Sequence, residues 1–380
     1  MFRRRIGVSG KRLAFWLMLA GFGVSGVIFT SSATATSAPC ETQVSYARGF
    51  KIETVTNPGN CTWTAPTGIT QVDFQLVGGG GGGAFAGAAS GGGGGGQYIR
   101  VNSAPVVPGD TYPVSVGIGG SGGLGSSVQA DAGASGGRST FMGYSAVGGE
   151  GGRIGVAVEG SLGNGGSSGR SATVNFGTNI AAASWSGGVA SNLLGTTNIS
   201  PTCTRTRLGG GGAGTTAAGA DTSTGGAGFG STFSFATITY GGGGGGHRES
   251  SATYPAAAAG GAGGGAGGHA IATRPQPGEN GLGGGGGARG GQCNIGGIGA
   301  IASSGGASGG TGQVAIRHYA PEVLAAPIAV GLQSRIEMQW TRSQDAFATG
   351  YRIIWSTTQS DLADAAISAR TPITLSLIHI

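Results

Sequence analysis

Charge is scarce in this sequence. Lysine, arginine, aspartate and glutamate make up 9% of the 380 residues, and lysine occurs only as Lys11 and Lys51. No flexible basic patch can be built from so little. The formal charge of +6 comes mostly from Arg3, Arg4, Arg5, Lys11 and Arg12; setting those five aside leaves 16 basic side chains against 15 acidic, a net charge of +1. Nothing in that balance steers the chain to nucleic acid or to an acidic membrane surface. Chemistry-bearing groups are sparse too. The four histidines, His247, His269, His318 and His379, are scattered. His247 and His269 could share a metal if folding brought them together, but no carboxylate accompanies them at ligand spacing. No cysteine pair has C-x-x-C spacing, which excludes a zinc knuckle and a thioredoxin-type site. No glycine block leads into the lysine and serine or threonine of a phosphate loop. No G-x-S-x-G elbow stands with ordered acid and histidine partners. The few acids sit mostly on turns, with no pair assignable to glycosidase work. We expect a non-catalytic protein with no cofactor and no metal. Helix signals are missing as well: alanine runs such as 256–259 are short and glycine follows at once.

Glycine is what the chain has in excess. Of its 88 glycines, 78 lie between Gly78 and Gly312, about one residue in three, against a usual share of roughly 7%. Six-glycine blocks occupy 78–83, 91–96 and 241–246. Strict G-X-Y register is missing and proline is limited to 13 residues, so collagen is excluded.

The first 35 residues read as a secretory signal peptide: a basic start, the apolar run LAFWLMLAGFGVSGVIF, and a small-residue exit with Ala33-Thr34-Ala35. An uncleaved anchor is the rival, although a run of about 17 residues lies near the lower limit for spanning a membrane. After cleavage no stable span is expected. Cys40, Cys61, Cys203 and Cys293 would remain, and an even count in an exported chain favours disulfides. Among the three pairings we expect Cys40 with Cys61 and Cys203 with Cys293.

Strand-like segments interrupt the glycine. FKIETV, then CTWTAPTGITQVDFQLV with Val72, Phe74 and Leu76 on one face, precede the first block. QYIRV and TYPVSVGI follow, with Tyr112, Val114, Val116 and Ile118 on one side and APVVPGD as the turn between them. Pro113 argues for an edge or a strand start. SATVNF (171–176), FSFATITY (233–240) and GQVAIRHY (312–319) are later candidates. GGRSTFMGYSAVGGEGG (136–152) echoes GFGSTFSFATITYGGGGGG (228–246), with Phe141 and Phe233 at matching steps. Phe74, Phe141 and Phe233 are expected in the core, as are Trp340 and Tyr351 further along the chain.

Two readings of the glycine remain. One is a disordered Gly-Ala-Ser linker. The other is an ordered array of left-handed polyproline II helices, three residues per turn, whose main-chain groups bond to neighbouring helices because no Cβ holds them apart. Ordering costs roughly 1–2 kcal/mol per residue, and glycine about 0.5–1 more than alanine, so only a nearly complete hydrogen-bond network on a hydrophobic scaffold offsets it. The interposed strands, and the cysteines bracketing the region, favour the array. The expected fold is mostly β: a β-sandwich-like scaffold carrying packed glycine helices over 40–319.

Residues 62–319 resemble the bacterial and phage glycine-rich domain of surface proteins and tail adhesins. The resemblance rests on TWTAPTGITQVDFQLVGGGGGG, GGGGGGQYIRVNSAPVVPGDTYPVSVGIGGSGG, GGRSTFMGYSAVGG and SGGTGQVAIRHY. A similar layout occurs in the glycine-rich extracellular region of some receptor tyrosine kinases. Glu150 within its glycine segment and the glycine-poor stretch 175–207 depart from the pattern. The resemblance implies bundled glycine helices beside a β-sandwich, with tips that bind host surfaces. Beyond Pro321 the composition changes, and APEVLAAPIAVGLQSRIEMQWTRSQDAFATGYRIIWSTTQSD resembles the first half of a fibronectin type III domain through its Trp340 and Tyr351 pattern. A full sandwich of that kind needs roughly 100 residues, so 321–380 is read as a partial, truncated domain; a short β tail is the alternative.

The function expected is secreted or cell-surface adhesion or display toward a glycan or a protein. Phe85, Tyr144 and Trp185 are candidate ligand contacts, with hydrophobic cover for the scaffold as their plainer role. A structural spacer with no ligand is the competing reading.

Overall fold

In a computed structural model of the chain, the described residues are 37–86, 90–124, 131–154, 163–189, 191–193, 206–221, 223–249, 258–267, 274–290 and 305–320, with four strands between 328 and 376. The leader, Cys203, Cys293, His269, His379 and Trp340 lie outside them. The described residues form strands and no helix.

Twelve strands make the scaffold: β1 (Gln43–Ala47), β2 (Phe50–Val55), β3 (Gly59–Thr64), β4 (Gln71–Val77), β5 (Tyr98–Pro105), β6 (Thr111–Val116), β7 (Ser139–Phe141), β8 (Tyr144–Ala146), β9 (Ala172–Asn175), β10 (Phe229–Ser231), β11 (Ile238–Tyr240) and β12 (Gln313–Tyr319). A six-stranded sheet runs β1-β2-β12-β4-β5-β9, and a four-stranded sheet runs β3-β6-β7-β8. Neighbours are antiparallel except β9, which joins β5 in parallel. The two sheets enclose one core. Val72, Phe74, Leu76, Ile99, Val101, Val314 and Ile316 from the large sheet meet Trp63, Val114, Val116, Phe141 and Ala146 from the small one. Period-two alternation in β4 and β12 puts these residues on one face. Phe74 meets Phe141 edge-on, with ring centroids 5.0 Å apart, a favoured aromatic geometry.

The opposite face of the large sheet is covered by the β10–β11 hairpin. Phe233 packs there with Ile52 and Ala315. Arg317 Nη1 donates to the Phe233 carbonyl at 3.0 Å, its Nη2 meets Asp73 Oδ2 at 2.6 Å, and its guanidinium lies 4.7 Å from the Phe233 ring.

Several sequence expectations need correction. FSFATITY is a strand only over Ile238–Tyr240; Phe233–Ala236 is the turn, with Phe235 in the left-handed region at φ 63°. The apolar run serves the turn because Phe233 and Phe235 both reach down to Arg317. CTWTAPTGITQVDFQLV is two strands in different sheets, and β5 runs on through Pro105 into what reads as a turn. Ile118 is not on the buried side; it is 59% exposed. Pro113 lies inside β6, opposite Thr62, but β7 pairs only with Val114 and Ser115. Proline's missing N–H therefore breaks no ladder bond on that side.

The glycine segments pack against one another with a three-residue repeat. The N–H groups of Gly78, Gly81 and Ala84 donate to the carbonyls of Gln97, Gly94 and Gly91. Those of Gly79, Gly82 and Phe85 donate to Gly137, Ala134 and Asp131, and those of Gly80 and Gly83 to Gly310 and Ala307. Carbonyls follow the same period: Gly80 and Gly83 accept from Gly120 and Gly123, Gly79 and Gly82 from Gly149 and Gly152, and Gly81 and Ala84 from Gly286 and Arg289. Segment 78–85 thus has six bonded neighbours. Three run antiparallel to it and receive its N–H groups; three run parallel and donate to its carbonyls. Segment 91–97 also has six bonded neighbours, 78–84, 147–153, 163–167, 209–213, 241–247 and 283–286. The approach is too close for side chains. A Cβ on Gly80 would stand 2.0 Å from the Gly284 oxygen, and one on Gly244 would stand 2.1 Å from that of Gly286. Glu150 obeys the rule at the boundary: its main chain bonds Gly94 and Ser167, while its side chain is 53% exposed. The glycine-poor insertion contributes as well, since Gly188 accepts from Gly165 and donates to Gly211.

The first and last glycine segments adjoin the sandwich. Val77 opens the first, and Gly312 enters β12 as the last closes. Beyond the scaffold, Ile328–Leu332 pairs antiparallel with Arg335–Gln339, and Gly350–Ile353 pairs with Ile373–Ser376.

Candidate functional site

Phe74, Phe141 and Phe233 are all at most 1% exposed. Tyr351 falls in the strand Gly350–Ile353. Cys40 and Cys61 form a disulfide, with Cα atoms 4.9 Å apart. Their bridge ties the chain before β1 to β3, beside the Cys40 N–H donated to the Thr62 carbonyl.

The three aromatics nominated as ligand contacts do not form one surface. Phe85 sits at the end of segment 78–85 away from the sandwich, half-buried and paired in parallel with Arg289. Tyr144 is in β8; its hydroxyl accepts from the Gly177 N–H at 2.8 Å, and its ring lies 5.7 Å from Phe74 and 5.8 Å from Phe176. Trp185 pairs with Ser168 through a short two-strand ladder, and the Arg170 guanidinium covers its ring at 4.3 Å. Tyr144 and the residue before Trp185 border the same crevice.

That crevice runs along the flank of the array. One part, about 470 Å³, is lined by Gln97, Ser145, Val147, Glu150, Ser167 and the run Ile180–Ser184, among others. A second part, about 390 Å³, is bordered by Tyr144, Phe176 and Asn179, and shares Ser145 and Ile180 with the first. Gln97 fixes the floor: its Nε2 donates to the Arg170 carbonyl at 3.0 Å and its Oε1 accepts from the Val147 N–H at 3.1 Å. The Glu150 carboxylate accepts from the Ser167 hydroxyl and lies 4.0 Å from Arg153. The Ser145 hydroxyl is buried with no hydrogen-bond partner, a costly arrangement unless something else satisfies it. Sequence reasoning missed Ser145, Ser167 and Ala181–Ala183, because they are ordinary small residues brought together from three separate stretches.

The buried ionisable groups away from this crevice tie the scaffold together. Glu53 projects into the sandwich, accepting from Trp63 Nε1 at 3.1 Å and contacting Lys51 Nζ at 2.7 Å and His318 Nε2 at 3.2 Å. Burial pushes its pKa up, but the bonds from His318, Lys51 and Trp63 outweigh burial and hold it at about 2. On the other face, burial raises the Tyr98 and Tyr240 hydroxyls above their ordinary pKa; both lie in a network with Gln75, Ser231 and Gln313. Among the described residues no three His, Cys, Asp or Glu side chains converge as a metal site, and no helix is long and apolar enough to cross a membrane.

No curated protein matches the sequence. The family described as the glycine-rich domain matches residues 54–319, from β2 to the last residue of β12. The matched span covers most of the chain and takes in the bulk of the sandwich together with the mutually bonded glycine segments, so this protein belongs to the glycine-rich domain family.

Proposed function

We propose that the protein is an exported, non-catalytic display or adhesion module of a bacterial cell surface, presenting a rigid glycine array to a glycan or protein partner. In this reading the bonded segments are polyproline II helices packed side by side. The observation that carries it is the three-residue repeat, which gives segments 78–85 and 91–97 six bonded neighbours each. Three residues per turn is the period of that helix, and main chain bonded to six neighbours makes a stiff platform where a linker would be slack. The Cys40–Cys61 bridge favours an oxidising compartment. The segment beyond Pro321 is proposed as part of a fibronectin-type sandwich that follows the platform.

A spacer with no ligand is the alternative. It needs the array but has no use for a crevice with an unsatisfied hydroxyl. Glycan-array and cell-binding measurements on the full chain separate the two: saturable binding to a surface component is the outcome expected, and binding that rises linearly with concentration on every surface refutes the adhesion reading. Amide exchange at 91–96 and 241–246 tests the platform itself. Protection lasting hours is expected; random-coil rates there would reject it.

A further inference from the structure

The flank crevice is built from main chain left open on both sides. β7 and β8 are joined by the two-residue turn Met142–Gly143, both at positive φ, and pair Phe141 with Tyr144, Thr140 with Ser145 and Ser139 with Ala146. In such a hairpin the pair flanking the turn is hydrogen-bonded and the next is not. The N–H and C=O of Ser145 therefore point away from β7, and β8 is the edge of its sheet. Val147, two residues on, confirms the phase: its N–H and C=O face the same way and are filled by Gln97. Among the described residues nothing fills the main chain of Ser145, and its buried hydroxyl has no partner either. Across the crevice, the main chain of Ala181 and Ala182 makes no hydrogen bond among the described residues. The wall there is small and apolar. Among the described residues, the only charged side chain in the lining is Glu150.

We propose that this crevice binds an extended polypeptide segment, laid as an added strand against Ser145, with small side chains toward Ala181–Ala183 and a basic group or free amino terminus at Glu150. The proposal names the ligand class for the display reading above and rests on it. Strand addition to an open edge draws affinity from main-chain bonds and selectivity from alternate side-chain pockets. A sugar fits less well. Sugars stack on free aromatic faces, and here Arg170 covers a Trp185 face while Tyr144 packs on Phe74 and Phe176 with its hydroxyl engaged.

The test uses the full chain against a displayed library of random heptapeptides, with a glycan array run in parallel. Selected peptides, resynthesised, should bind saturably, share small residues and a basic end, and slow amide exchange at Ser145 and Ala182. Ala182→Arg, at an exposed position, fills the crevice and should weaken binding at least about tenfold. Ser145→Pro removes the outward N–H without touching the ladder and should do the same. Glu150→Gln should erase the preference for a basic end. Selected peptides that bind Ala182→Arg as tightly as the parent overturn the proposal. Glycans retained by the parent and lost with Ala182→Arg reassign the crevice to sugar. A library yielding no binder, beside cell binding that Ala182→Arg leaves intact, refutes the peptide groove and keeps the display function. Absence of any saturable partner sinks both.

Discussion

Substituting Gly93 by alanine tests the packing directly. The added Cβ would stand 2.0 Å from the Gly81 carbonyl oxygen, and real Cβ atoms essentially never come closer than 3.0 Å. One segment must therefore retreat by about 1 Å, and both are held on other sides. Gly93 donates to Gly286 at 2.9 Å and accepts from Gly244 at 2.8 Å; Gly81 donates to Gly94 and accepts from Gly286, each at 2.8 Å. Losing two or three of these bonds costs about 1 kcal/mol each, and overpacking adds about 1–3 kcal/mol. Alanine's gain from a less flexible unfolded chain returns only about 0.4–1 kcal/mol. The expected loss is about 3–5 kcal/mol, a large share of the roughly 5–15 kcal/mol that holds a domain together. The control is Gly230→Ala, whose nearest neighbour, Thr237 Cγ2, would lie at an ordinary 3.6 Å; it should change stability by no more than about 1 kcal/mol. Urea unfolding followed by tryptophan fluorescence reads both, since Trp63 is buried in the core. If the two variants unfold at the same urea concentration as the parent, the glycine is not packed as described. A disordered tract predicts that outcome, or a slight gain for both.

Acid should weaken the scaffold through Glu53. Its folded pKa of about 2 lies below the ordinary 4.5, so its contribution is fully present above about pH 5 and is lost as pH falls through 2; solvent screening holds it below about 3 kcal/mol. Glu53→Gln should flatten that part of a stability–pH curve measured by urea titration; an unchanged slope refutes the assignment. Phe141→Ala should cost about 3–5 kcal/mol in the same assay, because its ring packs edge-on to Trp63 and Phe74. Replacing Cys40 and Cys61 together by serine opens a link spanning 21 residues and should cost about 3 kcal/mol; a loss under about 1 kcal/mol would mean the bridge does not constrain the unfolded chain.

Strands were readable where one face is buried. β4 and β12 alternate because Phe74, Leu76, Val314 and Ile316 face the sandwich core while Gln75 and Arg317 face the hairpin. The run 233–240 misleads because its aromatic residues are spent in a turn that clamps an arginine, which β-propensity cannot distinguish from a strand. Inside the glycine blocks pattern fails altogether: identical residues carry no register, so nothing in 78–83 says that the Gly81 N–H donates to Gly94 rather than Gly93. That choice is made by the strands at the segment ends. The crevice was invisible for a related reason. Its specificity lies in main-chain groups that every residue possesses, and only the edge position of Ser145 leaves them open.

The three-residue repeat has a genetic consequence. Adding or removing one glycine inside a block shifts everything beyond it by one step of that repeat, handing each amide to the wrong neighbour. Changes of three residues restore every facing. Length variation within these blocks should therefore come in steps of nine nucleotides, while the connections at the far ends are free to vary by any whole codon.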